Sequence, residues 1–353
     1  MHVCVLGGGL AGTLLAWRLC GEPYGCEVDL FAGPSVPDAT AASVGAVRAY
    51  ETDPRQRALA TESLVELLNS GVLRLWSGYR RVPSTYLRSF VDPAEIAGIE
   101  AVLPGSAHLA DVRELTAAGF AGLGPDTVAV VERESGYVDP HALRHAVLGE
   151  LARNPWFRLR TELARPGGDA RVAVHGTTLT YDALVLATGA WTPGLVGAAD
   201  VVDAYRVEAI QYALHPASGT LPTVFVDEAT GLYGRPAGPD TMLLGVPVSA
   251  HGGPPTGGPV ELRLTERAVT LAAHRLPGLR LGPPTRIVRG AGCCTEPPIL
   301  QLRHVPGRAG VHTFTGGSGA SVTTVLTASR IAAHDITAPT HEVTTLPWSN
   351  PSR

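Results

Sequence analysis

The sequence predicts an α/β protein in which a parallel-sheet domain is interrupted by a second domain of mixed sheet. Three observations carry that expectation. The apolar run His2–Leu6, the turn Gly7-Gly8-Gly9, the apolar segment Leu10–Cys20 and the strand-like Glu27–Phe31 read as the opening of a βαβ unit. The run Ala183–Ala187, closed by Thr188-Gly189, and the strand, glycine turn and helix between Gly310 and His334 bring the chain back to the same kind of unit much later. Finally, 353 residues is about twice a usual domain length, and 45% hydrophobic against 17% charged residues is enough to fill a large core.

The elements follow in order. Leu59, Leu64 and Leu67 recur at helical spacing in a helix expected over Asp53–Asn69. Residues 71–130 read as short strands broken by Pro and Gly. Asp139 and Pro140 suit the N-cap and first helical position of a helix His141–Asn154. Arg171–His175 and Thr178–Thr180 read as a hairpin, and the stretch from Val201 to Pro284 as short, turn-rich strands with one helix at Glu261–Leu276. The expected division is a discontinuous nucleotide domain (1–70, 131–200 and 285–336), a substrate domain (71–130 and 201–284) and an extended tail (337–353).

Charge and composition remove several functions. With 28 basic and 32 acidic side chains, a net −4, the chain lacks the basic excess that phosphate backbones attract, so nucleic acid is not an expected partner. Every basic residue is arginine. Without lysine there is no amine for a pyridoxal Schiff base and no P-loop lysine for a nucleotide phosphate. The cysteines, Cys4, Cys20, Cys26, Cys293 and Cys294, are odd in number and lack C-x-x-C spacing, which argues against a disulfide framework or a structural zinc and for a reducing, cytoplasmic location. No stretch reaches about 18 uninterrupted apolar residues, so no membrane partner is expected. His141 and His145 are four apart on a helix but lack the glutamate of a zinc motif, and no metal site is expected.

Gly7-x-Gly9-x-x-Gly12 stands after a strand and at the head of a helix, where a dinucleotide fingerprint belongs, so the domain is Rossmann-like. The glycines allow a sharp turn and close approach of a pyrophosphate, and the backbone of Leu10 and Ala11 completes the cradle. One part of the fingerprint is missing. The ribose-binding acid expected at the end of the second strand is Ala32, with no arginine beside it to take a 2′-phosphate. The ribose would then be held by water, backbone or a residue such as Ser35.

Further segments resemble, in order, the signatures of the D-amino-acid oxidase superfamily of FAD enzymes. They are Ala41-Ala42-Ser43-Val44-Gly45-Ala46-Val47-Arg48, Ser135-Gly136-Tyr137-Val138-Asp139-Pro140, Tyr181 through Ala187 with Thr188-Gly189-Ala190-Trp191-Thr192-Pro193, and Thr315-Gly316-Gly317-Ser318-Gly319. The resemblance covers most of the chain and implies an FAD-binding domain. The pyrophosphate would rest on Gly7–Gly12 and Ser43, the turn of Thr188, Gly189 and Trp191 would border the cofactor, and the isoalloxazine would lie near Gly317, Ser318, Gly319, Ala320 and Ser321. In sarcosine-oxidase relatives a cysteine near the position of Cys293-Cys294 is attached to the flavin. Cys293 is the better match, with an inert thiol pair as the other reading.

The same resemblance implies oxidation of the C–N bond of a small amine or amino acid, by an oxidase or a dehydrogenase. Tyr233-Gly234-Arg235-Pro236 resembles the substrate-binding strand, where Tyr233 would orient substrate and Arg235 offer a fork to a carboxylate; Arg48 is a second cationic candidate. The lysine that promotes reaction with oxygen in sarcosine-oxidase relatives falls near Leu243, which favours slow use of oxygen unless Arg48 or a protonated histidine substitutes. A flavin monooxygenase and a non-catalytic nucleotide-binding protein are the rival readings. The sequence leaves the oligomeric state open.

Overall fold

The computed structural model describes residues 1–33, 38–196, 205–220, 223–248, 252–317, 319 and 321–338. Ser35, Ser318, Ala320 and the expected tail from 339 onward lie outside the described residues.

Strand β1 (His2–Leu6) is flanked in parallel by β2 (Glu27–Phe31) and by the strand Ala183–Leu186. The sheet has six strands. Val311–Thr315 and Phe157–Arg160 extend it in parallel on either side, and Gln301–His304 closes one edge antiparallel. Both faces are covered, as the unbroken apolar runs of the central strands require. Helix α1 (Leu10–Cys20) and the helices Pro140–Leu151 and Ser321–Thr337 cover one face, packing Leu14, Leu15, Val147, Leu326 and Ala333 against Val3, Val5 and Val185. The strands Arg165–Pro166, Arg171–Val174 and Thr177–Thr180 cover the other, around Cys4, Leu184 and Val172.

The second sheet has nine strands, all antiparallel except the pairing of Val224–Asp227 with Ser84–Arg88. Its outer face packs Leu264, Ala268 and Ala272 of the helix Leu262–Arg275 against Met242, Leu244 and Phe225. The inner face looks toward the nucleotide sheet.

Most expected elements stand within a residue or two of their predicted ends. Asp53 and Asp139 cap their helices, each accepting two backbone N–H bonds, with proline in the first turn. Three differences are informative. Residues 71–130 hold three short helices, Gly71–Ser77, Pro93–Val102 and Val112–Ala117, besides strands. The expected short strands after Val201 begin with a 14-residue one, Arg206–Gly219, stabilised along nine registered residues by Arg286–Cys294. That pairing puts Arg286–Cys294 in the larger sheet, so the return to the nucleotide sheet follows Cys294 instead of beginning at 285.

The glycine turn holds the nucleotide unit together. Gly7 adopts φ +117°, and a Cβ there would stand 2.2 Å from the Ala187 carbonyl oxygen. A Cβ on Gly12 would come within 2.0 Å of the Gly7 oxygen and 3.1 Å of the Ala187 Cβ. Gly12→Ala is therefore expected to lower stability by about 1–3 kcal/mol or more, because backbone is the obstruction. A urea melt of the flavin-free protein reads this directly, and an unchanged midpoint would show that α1 can shift.

Candidate active site

A cavity of about 970 Å³, at the upper end of the roughly 300–1,000 Å³ usual for small-molecule sites, runs between the carboxyl ends of the nucleotide strands and the inner face of the larger sheet. At one end lies the head of α1. Its N-cap is Gly9, which has no side-chain cap, and among the described residues the side-chain partner of the first turn's N–H groups is Thr40, whose Oγ1 accepts from the Leu10 N–H at 3.0 Å. The orphan N–H groups and the positive dipole end suit a phosphate. Gly9, Leu10 and Ala11 line the cavity; Gly12 does not, and acts through packing.

Ser43, Thr188, Gly189 and Trp191 also line it. Ser43 Oγ accepts the Gly45 N–H at 3.1 Å, and Thr188 is hydrogen-bonded to Thr192, so both hydroxyls shape their own turns. At the far side the strand Val311–Thr315 ends in Gly316 and Gly317, and the helix beginning at Ser321 opens on the cavity. Gly317, Gly319 and Ser321 are part of the wall. Two helix heads thus face one elongated cavity. Such an arrangement fits a molecule with a pyrophosphate at one helix and an electron-rich ring edge at the other.

The strand Arg286–Cys294 brings both thiols to the cavity wall. Cys293 also packs into the apolar cluster of Cys4, Tyr205 and Val305, where burial pushes its thiol up to about 11. Cys294 is the less buried of the two. Its Sγ donates to Glu208 at 2.8 Å and lies 3.4 Å from the Gly317 oxygen; burial, then the adjacent carboxylate, push its pKa up. Neither thiol is prepared as a thiolate. Gly292, on the same face as Cys294, would carry a Cβ that met only Ile210 Cδ1, at 3.8 Å, so that stretch of wall is bare backbone.

The substrate-side residues come from neighbouring strands. Tyr233 stands in register with Gly245 on one side and Val226 on the other, and Val226 with Tyr86. Gly245 has no Cβ, and the Tyr233 ring occupies that space: a Cβ there would be 2.4 Å from the Tyr233 oxygen. The phenol donates to the Gln211 carbonyl at 3.0 Å, and burial pushes its pKa up, so toward the cavity it can only accept. Arg235, two residues on, is in register with Leu243. It is half-buried, stacks on Tyr137 with 4.3 Å from the guanidinium carbon to the ring centroid, and donates to the carbonyls of Val44 and Pro236. No carboxylate lies within ion-pair distance of it among the described residues, and burial lowers its pKa.

Arg48 is differently placed from the free cation expected. Its guanidinium pairs with Glu51 at 2.8 Å, donates to the Tyr50 carbonyl and lies over Tyr86. Glu132 is buried beside it, accepting the N–H groups of Ala49 and Tyr50 and the Ser84 hydroxyl. Burial is the largest influence on Arg48 and would lower its pKa, but Glu51, Tyr86 and Glu132 together outweigh this and raise it, while burial raises both carboxyls. The Arg48 charge is thus already answered. Glu51, Glu132 and Glu208 carry no local sequence motif, since partners 80 or more residues away bring Glu132 and Glu208 into place. His141 and His145 are exposed, and no group of three or more metal-binding side chains occurs among the described residues. No described helix is long and apolar enough to cross a membrane.

Fold and site together define a protein of the dinucleotide-binding class, with one large cavity between a parallel sheet and a larger, mostly antiparallel one. Residues 2–334 match the sequence profile of the FAD dependent oxidoreductase family, and the chain belongs to that family. It is an FAD-dependent oxidoreductase. Among solved structures it is similar to the glycine oxidase of Geobacillus kaustophilus (TM-score 0.74, 18% identity, 97% of this chain and 96% of that one). It is similar also to the L-proline dehydrogenase of P. horikoshii (0.75, 14%, 95% and 93%) and the iminodiacetate oxidase of Chelativorans sp. BNC1 (0.67, 18%, 94% and 94%). No curated protein sequence matches the chain.

The placement of the thiols yields a direct expectation. Acid precipitation of the yellow holoprotein should leave the flavin in the supernatant, and Cys293→Ser should not change that result. Colour retained on the pellet, and lost in Cys294→Ser, would reverse the reading of Cys294 as a protonated thiol.

Proposed function

We propose that the chain oxidises the C–N bond of a small amino acid and that Arg235 binds the substrate carboxylate. The observation that carries this reading is the half-buried Arg235 guanidinium on the cavity wall, held by two carbonyls and an aromatic face, with no carboxylate within ion-pair distance among the described residues. A partly desolvated planar fork without a counter-ion favours a carboxylate ligand. Beside it, Val226 and Val246 give an apolar wall suited to a neutral side chain.

The cofactor, when bound, supplies the two-electron acceptor for the hydrogen on the carbon beside nitrogen. The chain's own tasks are binding and orientation. Gly9, Leu10 and Ala11 would hold the pyrophosphate, and the head of the Ser321–Thr337 helix the polar ring edge. Arg235 fixes one end of the substrate, and the Tyr233 oxygen, its proton committed to Gln211, is an acceptor for an N–H or O–H. Apolar side chains exclude water, which favours the neutral amine over the ammonium.

Anaerobic addition of neutral amino acids to the yellow protein should bleach the flavin band. Arg235→Leu should raise KM by about 30-fold or more, with a smaller change in kcat, as for loss of a buried charge pair worth about 2–5 kcal/mol. Bleaching by NAD(P)H alone would favour a monooxygenase instead, and an unchanged KM would remove Arg235 from the site.

We also infer that oxygen is a poor electron acceptor. Arg48 is paired with Glu51, with Glu132 alongside, and Leu243 is buried and uncharged, so neither offers the free positive charge that would stabilise developing superoxide. In stopped flow, the reduced enzyme should recover its colour slowly in aerated buffer, at a rate unchanged by Arg48→Met. Rapid recovery that Arg48→Met abolishes would overturn this.

A further inference from the structure

We propose that Glu162 supplies the carboxylate for the adenosine ribose of FAD, from the strand beside β2 instead of from the end of β2 itself. In a dinucleotide fold that acid ordinarily closes the second strand. Here the position is Ala32, and it is crowded: a Cβ built on Gly8 would stand 2.7 Å from the Ala32 Cβ. A longer side chain at 32 would have to leave along a path pressed against the glycine turn. The chain then bends away at Gly33, at φ +60°.

The neighbouring strand reaches the same place. Phe157–Arg160 runs parallel to β2 with Phe31 opposite Arg160, and the Ala32 N–H donates to the Arg160 carbonyl at 2.8 Å. Residues that follow Arg160 therefore emerge beside those that follow Phe31. Glu162 is two residues on, half-buried, and lines the cavity together with Ala32, Gly33 and Ala164. Glu162 and Ala164 are half-buried there, whereas Leu163 and Arg165, on the same edge of the cavity, are exposed.

Its carboxylate is uncommitted. Among the described residues it makes no hydrogen bond or ion pair, although the strand it follows is rich in arginine. Those arginines are engaged elsewhere: Arg158 pairs with Glu27 at 2.5 Å, and Arg160 with the buried Asp29 at 2.9 Å. Arg165 borders the same end of the cavity and is exposed. A half-buried carboxylate free of a cation can accept from both hydroxyls of a vicinal diol, and such charge-assisted bonds are stronger than neutral ones. The acid absent from position 32 is thus present in space though not at its customary place in the chain.

The test uses flavin-stripped wild-type protein and Glu162→Gln, titrated with FAD and followed by quenching of flavin fluorescence. Glu162→Gln should bind FAD roughly tenfold to a hundredfold more weakly, the change expected on losing charge-assisted hydrogen bonds. The melting temperatures of the two flavin-free proteins should coincide, because Glu162 holds nothing in the empty protein. Binding of FMN, which lacks adenosine, should be the same for both.

A second measurement does not depend on the variant. The 2′-deoxyadenosine analogue of FAD should bind wild type several-fold more weakly than FAD does, and Glu162→Gln should discriminate much less between the two. Equal FAD affinity of the two proteins, an equal loss toward FMN, or independent additive losses for the variant and the analogue would each overturn the assignment. None of these outcomes bears on the oxidation chemistry, because the readout is affinity for the cofactor alone.

Discussion

The head of α1 stays open to the cavity only because two glycines let backbone approach backbone, Gly7 against Ala187 and Gly12 against Gly7, at distances no Cβ could share. That close approach presses the helix onto the sheet and leaves its first turn, among the described residues, with a single side-chain acceptor, Thr40, so the electrostatic demand of the helix end is directed at the cavity. Much else can be traced from there. The strand Ala183–Leu186 must lie beside β1, the Thr188–Trp191 turn must follow at the cavity edge, and the second sheet must face the carboxyl ends of the first.

Charge is distributed along the cavity by pairing as much as by position. Arg48 and Arg235 both border it, yet Arg48 is bound to Glu51 with Glu132 alongside, whereas Arg235 is held by carbonyls and the Tyr137 ring, with no acid within ion-pair distance among the described residues. A buried cation whose counter-ion is built in serves structure. One whose neighbours are neutral keeps the larger part of its interaction energy for a ligand. The same distinction separates Glu132, saturated by two backbone N–H groups and a hydroxyl, from Glu162, which carries no partner among the described residues. The thiols differ in degree: both border the cavity, but Cys293 also packs into the core and Cys294 is the less buried.

Local signals were enough for much of this protein. A strand, three glycines at fixed spacing and an apolar helix specify a dinucleotide cradle because their requirements, a sharp turn and close packing, are met within a dozen residues. Aspartate before proline starts three helices, at Asp53, Asp92 and Asp139, for the same reason, as the capping bonds reach only two or three residues ahead. The long strand Arg206–Gly219 was less legible because its stability comes from Arg286–Cys294, some eighty residues away, and not from its own turn-rich composition. Which arginine lacks an acidic partner within ion-pair distance, how deeply each cysteine is buried and which carboxylate borders the cavity with Ala32 were decided only by tertiary structure. Each depends on strand register between distant segments, and a shift of one residue along a strand would exchange the face that meets the cavity for the face that meets the core.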